Sequence, residues 1–513
     1  MWTRLNLEDI KSICHYLGIL VLFSTVTFAI PLICAIIFQE WDPAYRYLIA
    51  CGISLFTGSS LMFATLKPGN LSRRQALVIT GLSWIILSLI GAIPLVMSYH
   101  YATYLDALYD CVSAITTTGT TIVIDIDHMS YADNMFRFLE LLEGGIGLVV
   151  VVLSLGLFGS GSGISLYNTE ARDEHVVPNL INATRFITRI VTINITIGGS
   201  VLFVLCLTKG IEPIRSLLDG FWLAISAFVT GGFAPNSLSI MYYHSFEIEI
   251  VLIILMILGS ISFVLHSHIY RGDIAVIFRD IEIRTMIRWV CVITIVFTTS
   301  IVAAGGFSSL PILLRRGAFM IVSAFTTTGL QNVTTNQLNT VLASGAFLTL
   351  SIAMAVGGSA GSTSGGIKLK RLGIALKIIK SNVKEVLSPP SAKFTTTYYH
   401  LGKQVLDAKT ARNILTIIVL YVGTYIAGTL IGVAYGYDGT HALFESITVC
   451  SNGGLASISS PNMPAPLVVS YIIMMWAGRL EFVTLIALIT DLFVNIFPVR
   501  ILRSKYRKLS KVK

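Results

Sequence analysis

Charged residues are scarce in this sequence, since Asp, Glu, Lys and Arg together make up only 12% of its 513 residues. Hydrophobic residues make up 54%, and the mean hydropathy is +0.78. This balance excludes a water-soluble globular protein, in which charged residues are about twice as frequent. Runs of about 20 apolar residues, the length that crosses a bilayer, recur along the chain. The sequence therefore predicts a polytopic helical membrane protein.

Several other features are missing. The seven cysteines lie mostly in apolar runs without paired spacing, so neither a disulfide framework nor a zinc site is expected. No HExxH motif is present, which disfavours a membrane-embedded metalloenzyme. The net charge is +9, but the basic residues form no patch with interleaved aromatics, so nucleic acid is not an expected partner. They fall in alternate loops, which predicts that both termini and the basic connection 366–412 are cytoplasmic.

The hydrophobic runs predict ten transmembrane helices. The first run is longer than the core of a signal peptide and lacks a cleavage pattern, so we expect it to remain as a helix. The predicted helices lie near 14–38, 47–66, 75–98, 135–158, 185–207, 245–268, 286–305, 341–380, 411–435 and 467–497.

A short apolar segment of about 10 to 14 residues follows the third, fifth, seventh and ninth predicted helices. Because such a segment is too short to cross the bilayer, we expect a re-entrant helix in each place. Each segment leads into a polar stretch with glycine, and the four stretches align as an internal repeat: SAITTTGTT, SAFVTGGFA, SAFTTTGLQ and TVCSNGGLA. The glycines that they share are Gly119, Gly232, Gly329 and Gly454.

The repeated stretch predicts a pathway for a monovalent cation. Extended backbone survives at membrane depth only where it lines a cavity or faces an ion. Four such loops around one axis can turn their carbonyl groups inward and replace the hydration shell of the ion. Glycine permits the positive φ angles that this requires, and threonine stiffens the segment.

These loops resemble those of the Trk/Ktr/HKT superfamily of cation transporters, most closely its TrkH branch. The stretches LGSISFVLHSHIYRGD (258–273), GGSAGSTSGGIKLKR (357–371) and WAGRLEFVTL (476–485) look like further motifs of that family. The expected fold is an all-α polytopic membrane protein, with two leading transmembrane helices and four helix–pore-loop–helix repeats around one central pore. The predicted units are the leading helices (1–70), repeat 1 (71–165), repeat 2 (166–272), repeat 3 with an intramembrane gating loop (273–385) and repeat 4 with the basic tail (386–513).

The resemblance implies a carbonyl-lined potassium filter, because a glycine in all four repeats accompanies potassium permeation in this superfamily. It also implies a homodimer, cytoplasmic nucleotide-binding regulatory subunits related to TrkA, membrane lipid around the chain, no organic cofactor, and the inner membrane of a prokaryote. The filter residues would be Thr117, Thr118, Gly119, Thr230, Gly231, Gly232, Thr327, Thr328, Gly329, Asn452, Gly453 and Gly454.

The stretch GGSAGSTSGG should interrupt the long helix predicted at 341–380, because each glycine weakens a helix by about 1 kcal/mol. A phosphate-binding loop is one alternative, but the GK[ST] ending is missing. A tight helix crossing is another. The resemblance favours a gate below the filter. The candidate gate residues are Gly357, Gly358, Ser359, Gly361, Ser362, Thr363, Ser364, Gly365 and Gly366, with Arg479 from the last predicted helix.

Arg479 lies within an apolar run, where a charge costs roughly 2.5 to 3.5 kcal/mol, so it needs a partner or a water-filled cavity. It either pairs with Glu481 or another buried acid, or limits cation flow beside the gate. The functional alternative is a symporter that couples potassium to H⁺ or Na⁺ through a buried carboxylate, for which Glu143 and Asp491 are candidates. The role of Glu140 and Glu143 is open. The outer acids Asp106, Asp110, Asp125, Asp127 and Asp133 could raise the local cation concentration at the mouth, but solvated loop charge is the favoured interpretation.

Overall fold

A computed structural model of the chain gives the positions of most side chains. The residues that it describes are 6–65, 71–123, 125–147, 150, 180–304, 310–334, 337, 344–389, 395–458, 463–480, 482, 484–486 and 488–490.

Two leading helices form an antiparallel pair, α1 (Leu7–Ile37) and α2 (Trp41–Met62). Asn6 begins α1, and its backbone N–H donates to the Asp9 carboxylate at 2.9 Å. The two helices meet closely at Gly18, where an added Cβ would lie only 2.6 Å from the Gly58 carbonyl oxygen. A small residue is therefore required at this crossing.

The rest of the described chain repeats one unit four times. Repeat 1 contains α3 (Arg73–Val96), α4 (Tyr104–Ile115) and α5 (Tyr131–Ile146); repeat 2 contains α6 (Leu180–Thr208), α7 (Pro213–Phe228), the 3₁₀ turn Ser239–Tyr243, α8 (Phe246–Ser260) and α9 (Phe263–Tyr270). Repeat 3 contains α11 (Ile281–Ala304), α12 (Leu310–Phe325), α13 (Ser344–Ala355) and α14 (Leu369–Val386), after a connecting helix α10 (Ile274–Arg279). Repeat 4 contains α15 (Ala408–Ala434), α16 (Gly439–Ser451) and α17 (Ala465–Arg479).

The four short helices α4, α7, α12 and α16 are the predicted re-entrant helices, and we call them pore helices. They contain 12, 16, 16 and 13 residues, too few to cross a bilayer. Side chains satisfy free N–H groups at two of their N termini: Thr103 accepts from the Asp106 N–H before α4, and Asp438 accepts from the Thr440 N–H before α16. Each pore helix ends just before a polar stretch of the repeat.

One small departure from the expected all-α fold is a two-stranded antiparallel hairpin, β1 (Thr397–Tyr399) and β2 (Lys403–Val405). It belongs to the basic connection between repeats 3 and 4. Tyr398 packs there in a small cluster with Ile281, Ile374 and Ile414. The hairpin is thereby fixed to α11, α14 and α15.

The apolar core has two main parts that meet at the pore helices. One joins the leading helices with repeats 1 and 2, and the other joins repeats 3 and 4. The parts interlock, because Tyr109 and Val112 of α4 belong to the second part, and Phe319 of α12 belongs to the first. Burial is therefore concentrated where the four repeats converge.

The helix that follows each pore helix, which we call the inner helix, ends or is interrupted within the described residues of every repeat. A break was expected only within 341–380, where α13 and α14 are separated by a non-helical segment. The continuous helices predicted at 135–158, 245–268 and 467–497 are wrong. Helix α5 ends before Gly147, which has a φ of 91°; α8 and α9 meet at 106°; and α17 meets the helix Thr484–Thr490 at 116°.

Glycines explain three of these interruptions. At each of these glycines an added Cβ would overlap a backbone carbonyl oxygen near the end of the pore helix. In all three repeats that oxygen belongs to the residue four positions before the shared glycine. The inner helix therefore touches the C-terminal end of its pore helix without side chains between them, and it ends within two residues of the contact. The three contacts are Gly144 on Ile115, Gly259 on Phe228 and Gly478 on Cys450.

Among the described residues, five helices are each long and apolar enough to cross a membrane, namely α1, α3, α6, α11 and α15. Two bent pairs, α8 with α9 and α17 with the short helix after it, qualify as broken spans. The other predicted spans correspond to α2, to α5 with residues largely outside the described ranges, and to α13 with α14. The chain is a multi-pass membrane protein.

We expect Gly259→Ala to lower the melting temperature of the detergent-solubilised protein, because its methyl group would overlap the Phe228 carbonyl oxygen. Overpacking of this kind costs about 1 to 3 kcal/mol. Gly423→Ala on α15 is the control, since an added Cβ there meets no atom within 4 Å. Thermal unfolding followed by tryptophan fluorescence tests this, and equal melting temperatures for the two variants would contradict the close crossing.

Candidate functional site

Residues 117–119, 230–232, 327–329 and 452–454 meet at the centre of the molecule, and we call them the four-loop ring. In each loop, φ is positive at the first and third residues. The first-residue angles are 54° at Thr117, 52° at Thr230, 53° at Thr327 and 53° at Asn452; the third-residue angles are 88° at Gly119, 79° at Gly232, 93° at Gly329 and 71° at Gly454. The four loops therefore share one backbone conformation, including a left-handed residue that is strained for threonine.

The middle residue of each loop is anchored to its pore helix. Its N–H donates to the carbonyl oxygen of the residue five positions earlier, near the end of that helix. The distances are 2.8 Å from Thr118 to Ser113, 2.8 Å from Gly231 to Ser226, 2.9 Å from Thr328 to Ser323 and 2.8 Å from Gly453 to Thr448. One turn of the helix thus widens in the same way in all four repeats and leads directly into the loop.

The carbonyl oxygens of the four middle residues form a closed ring. Each lies against the shared glycine of the neighbouring repeat, so that a Cβ on that glycine would be too close to the oxygen. The pairs run in order: Gly231 O to Gly119, Thr328 O to Gly232, Gly453 O to Gly329 and Thr118 O to Gly454. A side chain at a shared glycine would therefore overlap the neighbouring loop, which explains why glycine is needed in all four positions.

Side chains also join the loops to each other and to the surrounding helices. Asn452 donates through Nδ2 to the Thr118 hydroxyl at 2.9 Å and to the Met475 carbonyl at 3.2 Å. Thr326 and Thr328 share a hydroxyl hydrogen bond of 2.7 Å, and repeat 1 has the same pair at 2.8 Å. These bonds are buried, so they hold the ring in one arrangement.

The predicted gate residues of repeat 3 all lie in the non-helical segment 356–368 between α13 and α14, which we call the central segment. Thr363 is its most connected residue. The Thr363 hydroxyl lies 2.9 Å from the Gly259 carbonyl oxygen, 3.2 Å from that of Phe228 and 3.1 Å from the Thr230 hydroxyl. The central segment is thus in contact with the ring on the side where the pore helices end.

Other contacts attach the central segment to repeats 3 and 4. The Ser364 hydroxyl donates to the Thr326 carbonyl at 2.9 Å, and the Gly365 N–H donates to the Thr327 hydroxyl at 2.8 Å. An added Cβ on Gly365 would overlap the Ser451 carbonyl oxygen at the end of α16. The glycine is therefore required for this close approach.

Arg479 connects the central segment with repeat 1. Its guanidinium donates to the Thr363 carbonyl at 2.7 Å and to the Gly144 carbonyl at 2.6 Å, and it lies 5.9 Å from the centre of the Trp84 ring. These carbonyl groups partner a charge at membrane depth. The expected alternative partner, Glu481, lies outside the described residues, as does Asp491.

A model of the family described as TrkH, cation transport protein, matches residues 43–493 of the chain. The chain belongs to the TrkH family.

Several relatives of known name are similar to this family member over nearly its whole length. An uncharacterized cation transporter of Methanocaldococcus jannaschii is 29% identical over 96% of this chain and 97% of its own. The Escherichia coli Trk system potassium uptake protein TrkG is 29% identical, covering 87% of this chain and 90% of the relative. The crystal structure of the potassium transporter TrkH from Vibrio parahaemolyticus matches with a TM-score of 0.80 at 22% identity, over 94% and 99% of the two chains. The fold of this TrkH family member is therefore that of a polytopic membrane protein of the same architecture.

The sequence comparison of the repeats overlooked the hydroxyl residue that begins each one, six positions before the shared glycine. In three repeats its side chain contacts the segment just after the shared glycine. Ser113 lies 3.4 Å from the Thr120 hydroxyl. Ser323 donates to the Leu330 carbonyl at 2.7 Å, and Thr448 donates to the Leu455 carbonyl at 2.8 Å. A serine or threonine at this place in all four quoted stretches was the available signal.

Two outer acids are not the solvated loop charges that we expected. Asp110 is fully buried and accepts from Arg137 Nε at 2.9 Å, and Asp133 is fully buried in a two-bond pair with Arg46 at 3.0 and 3.1 Å. The hydrophobicity pattern does not predict their burial. Asp133 lies in the first turn of α5, and Asp110 lies in the middle of the short helix α4. Asp125 fits the expectation and is exposed.

Glu140 and Glu143 face the helices that precede the first ring loop. Glu143 accepts from the Thr27 hydroxyl of α1 at 2.8 Å. Glu140 lies beside Gly91 of α3. A Cβ added to Gly91 would be 2.5 Å from Glu140 Oε1 and 3.3 Å from Cys111 Sγ. Both side chains are buried at helix contacts in repeat 1.

A cluster of possible metal ligands lies beside the central segment. Asp280, Glu282 and His400 each offer one atom, and these atoms lie within 4.8 Å of one another. The carboxylates already accept hydrogen bonds, Asp280 from His400 Nδ1 at 3.0 Å and Glu282 from the Ala360 N–H at 2.8 Å. This cluster connects the central segment to the β hairpin, a contact that sequence spacing could not predict because His400 is distant in the chain.

Proposed function

We propose that the protein conducts potassium ions across the cytoplasmic membrane of a prokaryotic cell, with the four-loop ring as its selectivity filter. The observation that carries the proposal is the closed ring of carbonyl oxygens around four glycines. The Trk relatives from Escherichia coli and Halomonas elongata, which are named potassium uptake proteins, support the choice of ion.

The ring suits a cation that must lose its water. Carbonyl oxygens carry partial negative charge and replace the hydration shell without a full anion, so the ion binds and still leaves. All four pore helices end at the ring, and each contributes roughly half a negative charge from its C-terminal carbonyl groups. An anion would meet repulsion from the same groups.

The central segment is proposed as the gate. It contacts repeats 2, 3 and 4 beside the ring through Thr363, Ser364 and Gly365, and the Arg479 side chain connects it to repeat 1. In this arrangement Arg479 adds a fixed positive charge beside the pathway, which opposes cation flow. Movement of the segment would have to break several hydrogen bonds, so a regulatory partner could supply the energy.

The remaining proposals concern the assembly. We infer that both termini are cytoplasmic, because basic residues are concentrated in alternate loops. The family relationship supports a homodimer that works with cytoplasmic nucleotide-binding TrkA-like subunits. No organic cofactor is proposed for this chain. The proposed units are the leading helices 1–70 and the repeats 71–165, 166–272, 273–385 and 386–513.

A symporter that couples potassium to H⁺ or Na⁺ is the second candidate. It requires a carboxylate along the ion path, and Glu143 instead contacts Thr27 of the leading helix α1. That contact disfavours Glu143 as the coupling carboxylate. Flux measured with and without an ion gradient separates the two mechanisms.

The deciding measurement is cation flux into proteoliposomes that contain the purified protein, under an imposed voltage and without a proton gradient. We expect flux of potassium to exceed that of sodium in the wild type. Gly119→Ser should reduce this preference, because the added side chain would lie against Gly232, whose Cα is 2.8 Å from a Cβ built on Gly119. Flux that requires a proton or sodium gradient would favour the symporter, and wild-type flux without preference would contradict the filter.

Thr363→Val should raise potassium flux in the absence of a regulatory partner, because valine keeps the shape but loses the hydroxyl contacts to Gly259, Phe228 and Thr230. Loss of about one to two hydrogen bonds from the closed state corresponds to roughly tenfold more flux. Ser362→Ala is the matched control, since its hydroxyl contacts only the Ser359 carbonyl within the segment, at 2.7 Å.

Arg479→Gln should also raise flux, because it removes the fixed charge. The same proteoliposome assay, normalised to the amount of folded protein, measures all three variants. Equal flux in Thr363→Val, Arg479→Gln and the wild type would rule out the central segment as the gate.

A further inference from the structure

A charged side chain holds the segment of chain that follows each loop of the four-loop ring. The four groups are Arg137, Arg215, Glu249 and Glu445, and we call them the collar. The residues that they hold lie two to four positions after the shared glycine of their repeat. The collar therefore binds the chain just after each loop, whereas the central segment contacts the loops at or before their first residue.

Repeat 1 has the most deeply buried collar group. Arg137 is fully buried on α5, where its Nε donates to Asp110 Oδ2 at 2.9 Å. Its Nη2 donates to the Thr121 hydroxyl at 3.3 Å, and its guanidinium carbon lies 4.3 Å from the centre of the Phe233 ring. Thr121 follows the first ring loop and Phe233 follows the second. The Arg137 side chain therefore contacts the segments that follow two different loops.

Repeat 2 uses a different set of residues for the same task. Arg215 Nη2 donates to Asn236 Oδ1 at 2.7 Å, and Asn236 Nδ2 donates to the Tyr243 hydroxyl at 3.1 Å. Tyr243 in turn donates to the buried carboxylate of Asp219 at 2.8 Å. The strand after the second loop is thereby fixed to its pore helix, which carries both Arg215 and Asp219.

Acidic groups hold the strands of repeats 3 and 4. Glu249 forms two hydrogen bonds with Arg315, of 2.7 and 3.0 Å, and accepts a longer one from Asn332 Nδ2 at 3.5 Å. Glu445 is buried on pore helix α16 and accepts from the Ile458 N–H at 2.7 Å. The chemistry thus differs among the repeats while the place of attachment is the same.

Stability alone gives a poor reason for buried charges here, because an apolar pair of the same volume is often as stable or more so. A charged group with two or more directional bonds does, however, fix the geometry of what it holds. Three of the collar groups also have an oppositely charged partner, Asp110 for Arg137, Asp219 for Arg215 and Arg315 for Glu249, so these three add little repulsion against a passing cation. Fixed geometry is the property that a filter needs.

We propose that the collar residues are positioning residues that keep the ring from contracting, and that they thereby set the preference for potassium over sodium. This inference rests on the proposed function. Sodium is smaller than potassium by a few tenths of an ångström, so a ring that can contract by that amount would bind both ions. The collar groups bind the segments just after the ring loops, and these segments would have to move if the ring contracted.

The test compares the ratio of potassium to sodium flux in Arg137→Lys, Thr121→Val and Arg46→Lys in proteoliposomes. Arg137→Lys keeps a positive charge beside Asp110 but loses the guanidinium group that contacts both Asp110 and Thr121. Thr121→Val leaves the Arg137–Asp110 ion pair intact and removes the hydrogen bond from Arg137 to the segment after the first loop. Arg46→Lys is the matched control, because Arg46 is an equally buried partner of an aspartate on α5 and its hydrogen bonds go to Asp42, Pro94 and Asp133.

We expect the flux ratio to fall about fivefold in Arg137→Lys and Thr121→Val, the equivalent of one hydrogen bond, and to stay at the wild-type value in Arg46→Lys. If Arg137→Lys does not fold, Thr121→Val decides alone. A selective wild type with unchanged ratios in the first two variants would overturn the collar, and so would an equal fall in the control. A wild type without any preference would instead contradict the proposed function itself, so the two failures can be told apart.

Discussion

The structure depends on one constraint, which is that backbone polar groups at membrane depth must have partners. Each pore helix ends there, and its last carbonyl groups have no helical partner. The widened last turn satisfies part of this need, since the N–H groups of Thr118, Gly231, Thr328 and Gly453 return to it. The glycine contacts of the inner helices exclude side chains from the same place. What stays available is a set of carbonyl oxygens at the centre, where a cation can serve as the partner.

Much of this could be predicted from the sequence, because the signals are local. Hydrophobic runs indicated the spans, the short apolar segments indicated the pore helices, and the repeated glycine indicated the ring. The interruptions of the inner helices could not be predicted in the same way. Gly144, Gly259 and Gly478 are single glycines in apolar surroundings, and a single glycine in a helix is usually tolerated. Only the approach of a second helix end, more than 25 residues away in the chain, makes them necessary.

Buried charge was the other feature that the sequence concealed. Asp110 and Arg137 are 27 positions apart, and nothing in either local pattern indicates that they form a buried pair. Polar residues on short helices outside the long spans are usually exposed, so a solvated position was the natural expectation for Asp110 and Asp133. In a membrane protein with re-entrant helices this rule fails, because the short helices themselves lie inside the molecule. The partners of such residues have to be found by packing.

A single chain with four unequal repeats can give each repeat a different task. A ring built from four identical subunits would place the same side chain at all four positions, but here Asn452 alone reaches across from repeat 4 to the Thr118 hydroxyl of repeat 1. Repeat 3 supplies the central segment, and repeat 4 supplies Arg479, which donates to it. Four copies of either element could not occupy the same axis without overlap. The divergence of the repeats is therefore a physical requirement for combining a nearly symmetric ring with an asymmetric element beneath it.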